Sequence, residues 1–187
     1  MFRSLLPLLI AMLPGLGISP LASAEEQLAL FSADGYRQTQ YRSPTPATAE
    51  GATTLDTPAL QALLAKDPAV VLVDVYRSQW LAGRFIDSEP HANLPGSTWL
   101  ANTGNGILQA EWASYFSDNL ARLSEGDLER PLVFYCRSDC WLGWNATRRA
   151  HALGYKRLYW YRDGVDGWEQ AGLPLHPATP EPLPGGD

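Results

Sequence analysis

Both cysteines of the chain fall within one six-residue stretch, Cys136-Arg137-Ser138-Asp139-Cys140-Trp141. Two thiols this close can close a disulfide, work as a redox or sulfur-transferring pair, or share a metal ion or cofactor. Before them, Pro131-Leu132-Val133-Phe134-Tyr135 reads as a buried strand, and after them Leu142 to Leu153 reads as a helix. A strand that enters a short loop and then a helix aims loop amides and a helix N-terminus at whatever the loop holds. Both favour negative charge, so the setting suits a reactive thiolate. The plainer reading is a static staple. A loop this short gains only about 2 kcal/mol from chain entropy, less any strain. A metal centre would have to recruit His91, His151 or His176. His151 belongs to the helix pattern and His176 lies in a Pro/Gly-rich tail, so no metal site is expected.

Around the thiols, Arg137 either lowers the pKa of Cys136 or is a solvated surface cation. Trp141 and Trp144, three residues apart, share a helix face. They could wall the cysteines with a surface for a planar quinone or a partner, with Trp144 the one expected to serve as core packing. No Ser/His/Asp arrangement, phosphate loop or dinucleotide fingerprint is present.

The elements that position this loop follow from patterning. Arg3, the apolar run Leu5 to Leu13, the breakers Pro14, Gly15 and Pro20, and Ala22-Ser23-Ala24 form a secretory leader pattern, cut after Ala24. The run is too short to span a bilayer, and no second stretch is apolar enough, so no membrane span is expected after cleavage. Loss of Arg3 leaves 13 basic against 20 acidic residues, a net −7. With no basic cluster, nucleic acid and anionic lipid are poor partners. In the oxidising periplasm, two neighbouring cysteines would not stay idle.

Residues 25–52 read as an N-terminal extension, with short strands or an amphipathic lead-in at 28–31 and 36–41 and a Pro-rich linker at 42–47. From Thr53 the pattern becomes a strand–helix alternation. Thr57 is expected to cap a helix to about Ala65, Val70 to Val75 to form a buried strand, and Glu111 to Leu123 an amphipathic helix. Lys156 to Tyr161 reads as a strand and Gly164 to Ala171 as a short helix, with Gly154 closing the helix before them. Residues 176–187 read as a flexible tail. The alternation predicts an α/β domain with a parallel sheet and helices on both faces.

The segments Leu132 to Arg137, Ala150 to Tyr155 and Gly164 to Pro174 resemble the C-terminal half of a rhodanese domain. Upstream, Val73-Asp74-Val75 with Arg77 resembles the family's Asp-x-Arg segment with one extra residue. His91 with Leu94-Pro95-Gly96-Ser97 resembles its His-Ile-Pro-Gly-Ala segment with a two-residue insertion. The resemblance covers residues 53–175 and implies a rhodanese-like fold. It places the persulfide-carrying role on Cys136. Cys140 is a departure from the family pattern; near the first turn of the following helix it can reach back to Cys136, and it is read from that position as the resolving partner. Arg137, Ser138, Asp139 and Trp141 would form the anion-cradling loop, with Asp74 and Arg77 supporting the strand end.

Two departures bear on activity. Rhodaneses that transfer sulfur from thiosulfate usually carry glycine three residues after the cysteine and a basic residue five after it. Asp139 and Trp141 stand there, so efficient thiosulfate sulfurtransfer is not expected. The Cys-x5-Arg of phosphatases on this fold is absent, because Leu142 takes the Arg position. The leader, the Cys-x3-Cys-Trp segment and the Leu-Gly-Trp-Asn-Ala that follows also resemble the PQQ-dependent catabolism-associated CXXCW motif proteins. That resemblance implies a periplasmic setting beside PQQ-dependent alcohol oxidation. The implied partners are a quinoprotein dehydrogenase, its cytochrome, or the PQQ cofactor itself in contact with Trp141 and Trp144.

Overall fold

The computed structural model describes residues 30–86 and 90–183, so the leader expected over residues 1–24 lies outside the described residues. A five-stranded sheet runs through the molecule in the order β1 (Ala52–Leu55), β8 (Leu158–Tyr161), β7 (Leu132–Tyr135), β2 (Val71–Asp74), β6 (Thr98–Trp99). Every pairing in it is parallel. Strands buried on both faces read as continuous apolar runs, and the central strand β7 is buried at all four positions.

Alternation along β7 divides the core. Leu132, Phe134 and Cys136 face one side, where α2 (Ala110–Leu123) supplies Tyr115, Phe116 and Leu120 and α3 (Trp141–Ala152) supplies Leu142, Ala146 and Ala150. Val133 and Tyr135 face the other side, where α1 (Thr57–Lys66) brings Leu60 and α4 (Gly164–Gln170) brings Val165 and Trp168. The doubly covered parallel sheet is therefore as expected.

Three local expectations change. Asp56 rather than Thr57 caps α1, its carboxylate accepting from the Ala59 amide at 2.9 Å. Thr57 instead turns its hydroxyl to Tyr161 (2.8 Å) and Asp163 (3.0 Å), which ties the helix start to the end of β8. The loop-rich stretch after β2 contains a hairpin of β3 (Gln79–Leu81) and β4 (Arg84–Ile86). Its two turn residues, Ala82 and Gly83, both have positive φ, as a tight hairpin of this hand requires.

Residues 176–183 of the expected tail are held against the domain. β9 (His176–Pro177) pairs antiparallel with β5 (Ala92–Asn93), and the Glu181 amide donates to Trp99 at 2.9 Å. The Tyr115 hydroxyl donates to the Glu181 carbonyl at 2.8 Å, and Leu183 is buried against the α2 face. Aromatic and apolar anchors outweigh the Pro/Gly content that suggested fraying. Among the described residues, no helix is long and apolar enough to cross a membrane.

Candidate active site at the Cys136–Cys140 loop

Cys136 leaves the C-terminal end of β7 and Cys140 occupies the N-cap of α3, with Cα atoms 6.3 Å apart and the sulfurs joined in a disulfide. Both residues are buried, Cys136 at 2% and Cys140 at 3% exposure. Parallel-sheet topology explains the position. Strand C-termini converge on one edge, and the following helix points its N-terminus at the same place.

The loop is held from two directions. On one side α4 docks through Val165, whose amide donates to the Cys136 carbonyl at 3.0 Å. Gly164 makes this approach feasible: its φ is +60°, and a Cβ there would sit 2.6 Å from the Cys136 carbonyl oxygen and from Arg137 main-chain atoms. Asp166, one residue beyond Val165, gathers the loop's polar groups. It accepts from Arg137 Nε (3.0 Å) and Nη2 (2.6 Å), from the Ser138 amide (3.0 Å) and from the Ser138 hydroxyl (2.9 Å). Arg42 adds a longer contact at 3.4 Å. Partial burial works to raise the Asp166 pKa, but the hydrogen bonds from Arg137 and Ser138 together outweigh it and hold the carboxyl below its usual value. The Arg137 guanidinium thus faces a carboxylate rather than the sulfurs.

On the other side lies the N-terminal extension. The Trp141 amide donates to the Tyr41 carbonyl (2.9 Å) and the Ser43 amide to the Asp139 carbonyl (3.0 Å), forming an antiparallel bridge between Arg42 and Cys140. The Trp141 indole donates to the Ser43 hydroxyl at 3.0 Å. Arg37 lies 4.9 Å over the Trp141 ring and Phe31 meets its edge at 5.4 Å. Asn145, fully buried on α3, fastens this strap by accepting from the Arg37 amide (2.9 Å) and donating to the Arg37 and Gly104 carbonyls (2.7 and 2.8 Å). Trp144 donates its indole N–H to Thr48 at 3.1 Å, and Arg148 lies 4.8 Å over its ring. The burial of the two tryptophans is the reverse of expectation. Trp141 is buried at 8% and Trp144 only half-buried, because the extension folds over the first turn of α3.

The loop amides expected to cradle an anion are therefore partly committed: Ser138 donates to Asp166 and Trp141 to Tyr41. Asp139, at the position where the family carries glycine, has a φ of +48°. The left-handed conformation is kept by a residue that tolerates it at some cost.

Asp74, at the end of β2, is wholly buried and bonded to His91 Nε2 (2.7 Å) and to the Tyr76 amide (2.8 Å). Burial pushes its carboxyl pKa up, against the opposing pull of His91. His91 stacks on Tyr76 at 5.1 Å and lies 4.2 Å from the Trp99 ring, so it is a bonded loop histidine. Arg77 does not join this network. It is exposed, with its guanidinium 5.2 Å over the Tyr41 ring. His151 and His176 are exposed, and among the described residues no group of three or more His, Cys, Asp or Glu side chains is placed to hold a metal. Asp166, Tyr41, Ser43, Arg37 and Asn145 were not singled out as site residues from sequence. A signal was present for Asp166, which lies in the family-like Gly-Val-Asp-Gly-Trp segment.

The rhodanese-like domain family matches residues 56–171, and the chain belongs to that family. No curated protein sequence matches the chain. Among solved structures, thiosulfate sulfurtransferase from Pseudomonas aeruginosa is similar over 71% of this chain and 21% of its own, with 18% identity and a TM-score of 0.50. The polysulfide-sulfur transferase homodimer from Wolinella succinogenes is similar over 67% of this chain and 79% of its own, with 19% identity and a TM-score of 0.44. Human single-domain sulfurtransferase TSTD1 is similar over 64% of this chain and 96% of its own, with 24% identity and a TM-score of 0.40. The Pseudomonas likeness supports the fold. The 56–171 match excludes the strap at residues 37–48, so the strap is an addition to the family domain.

Proposed function

We propose that the protein is a periplasmic rhodanese-like thiol protein associated with PQQ-dependent alcohol catabolism. Cys136 is its reactive thiolate and persulfide carrier, and Cys140 its resolving cysteine. The observation that carries this reading is the disulfide joining the cysteine at the end of β7 to the N-cap of α3. In the reduced pair, the Cys136 thiolate attacks the outer sulfur of a persulfide or polysulfide donor. The donor S–S bond breaks, a thiolate leaves, and Cys136 becomes a persulfide. The Cys140 thiolate then attacks Cys136 Sγ and expels the outer sulfur as hydrosulfide. This closes the disulfide, and the dithiol has supplied the two electrons. A dithiol reductant resets the pair. The leader pattern and the Cys-x3-Cys-Trp resemblance support the compartment and the metabolic setting.

A second reading is favoured by the strap. With both cysteines buried and two loop amides committed, the oxidised loop suits a non-enzymatic accessory role toward a quinoprotein, its cytochrome or the quinone cofactor. Intact mass after alkylation without reduction separates the two. After reduction and exposure to inorganic polysulfide, the thiol reading expects a gain of about 32 Da on Cys136, or reclosure to the form about 2 Da lighter than the dithiol. A disulfide that resists ordinary dithiols, with no persulfide formed, would support the accessory reading.

A further inference from the structure

Apart from the disulfide loop, three cavities meet at Arg77. The largest, about 530 Å³, lies between the β3–β4 hairpin and the start of α2, and has Trp80 and Trp112 as walls. A second, about 320 Å³, is lined by Tyr41 of the strap and by Asn105 and Ile107. A third, about 300 Å³, is walled by Tyr76, His91 and Trp99. Arg77 lines all three, and no described Asp or Glu lines any of them. Among the described residues, the lining of these cavities therefore offers a cation without a carboxylate beside it, in a chain of net charge −6.

Arg77 has no ion pair among the described residues. The loop that carries it is nonetheless fixed. Asn102, itself buried, accepts from the Ser78 amide (3.1 Å) and donates to the Ser78 carbonyl (2.9 Å). Asp74 accepts from the Tyr76 amide one residue before Arg77. The walls pack on one another as well. Trp80 meets Trp112 edge-on at 5.4 Å, and Phe85 backs both, at 4.7 and 6.0 Å. Ile107 on the rim is 62% exposed. Gln79, Asn105 and Gln109 add neutral polar groups. An aromatic-walled cleft with an exposed guanidinium at one end, itself lying over the Tyr41 ring and without a carboxylate partner among the described residues, is complementary to a flat apolar body bearing an anionic group.

We infer that this cleft is a binding site for a small aromatic or conjugated carboxylate, its anionic group paired with Arg77 and its body lying against Trp80 and Trp112.

The test uses the ¹⁵N-labelled full mature protein, following the indole N–H signals during titration with 2-naphthoate, its neutral counterpart 2-naphthalenemethanol, and sulfate. Naphthoate is expected to shift the Trp80 and Trp112 signals saturably, with the alcohol binding at least about fivefold more weakly. Arg77→Gln is expected to lose about tenfold toward naphthoate and little toward the alcohol, and Arg77→Lys to recover part of the loss. The inference is overturned by no saturable shift up to about 5 mM. It is also overturned by equal binding of acid and alcohol, by unchanged affinity in Arg77→Gln, or by shifts confined to Trp141 and Trp144. Sulfate matching naphthoate would overturn the aromatic class.

Discussion

The Trp141 indole donates to the Ser43 hydroxyl at 3.0 Å, directly beside the point where the Trp141 amide donates to the Tyr41 carbonyl. An extension that sequence composition marks as a linker is thereby bonded to the residue that follows Cys140. With the strap in place Cys136 and Cys140 are only 2% and 3% exposed, so it is expected to slow attack on the sulfurs even by a small dithiol.

Asn145→Ala tests that coupling. The substitution leaves the Arg37 amide and carbonyl and the Gly104 carbonyl without their partner, at a cost of about 2–3 kcal/mol concentrated on the strap. Reduction of the disulfide by dithiothreitol, followed by thiol titration, is expected to accelerate at least about tenfold. An unchanged rate would mean that the strap does not gate the sulfurs.

Asp139→Gly relieves a left-handed backbone at φ +48°. Net of the extra freedom glycine has when unfolded, the gain is about 0.5–1 kcal/mol, and the melting temperature is expected to rise by about 2 °C. Asp139→Val is expected to lower it, because a β-branched residue is poorly accommodated there. Thermal unfolding of the three proteins decides the matter.

Asp166→Asn weakens the bonds to Arg137 and removes the charge. The folded carboxyl sits below its usual pKa, so its stabilisation is present above the unfolded value near 4 and is lost as pH falls through the folded one. The variant is expected to be about 1 kcal/mol less stable at pH 7, and the gap to narrow below about pH 4. Urea unfolding at pH 7, 5 and 3 measures it. A gap that widens toward acid would contradict the assignment.

Asp74→Ala is expected to destabilise by about 3 kcal/mol, since it strips His91 and the Tyr76 amide of a wholly buried partner. Asp74→Asn, whose amide oxygen can still accept from the Tyr76 amide and whose NH2 can donate to His91 Nε2 when that ring carries its proton on Nδ1, is expected to cost less than half as much. Equal losses would mean that the charge itself, rather than the hydrogen bonding, holds the strand end.

The elements built on continuous or periodic apolar residues were legible. Val71–Asp74, Leu132–Tyr135 and α3 lie within two residues of expectation because burial on both faces leaves a plain signature. β1 was not read as a strand: it is four residues long, at the sheet edge, and only Leu55 is buried. The β3–β4 turn uses Ala82 at positive φ, a residue that carries no turn signal. Residues 37–48 bind the site through single carbonyls, one hydroxyl and stacked arginines, contacts with no sequence period. The loop cysteines, in contrast, were legible as a pair from spacing and context, because both lie where a strand gives way to a helix.

The most direct test of the thiol chemistry is intact mass of single-cysteine variants, reduced and then exposed to inorganic polysulfide. Cys140→Ser is expected to accumulate about 32 Da on Cys136, with hydrosulfide release suppressed, whereas Cys136→Ser gains nothing. A persulfide on Cys140 in the Cys136→Ser protein, or none in either variant, would contradict the roles assigned to the pair.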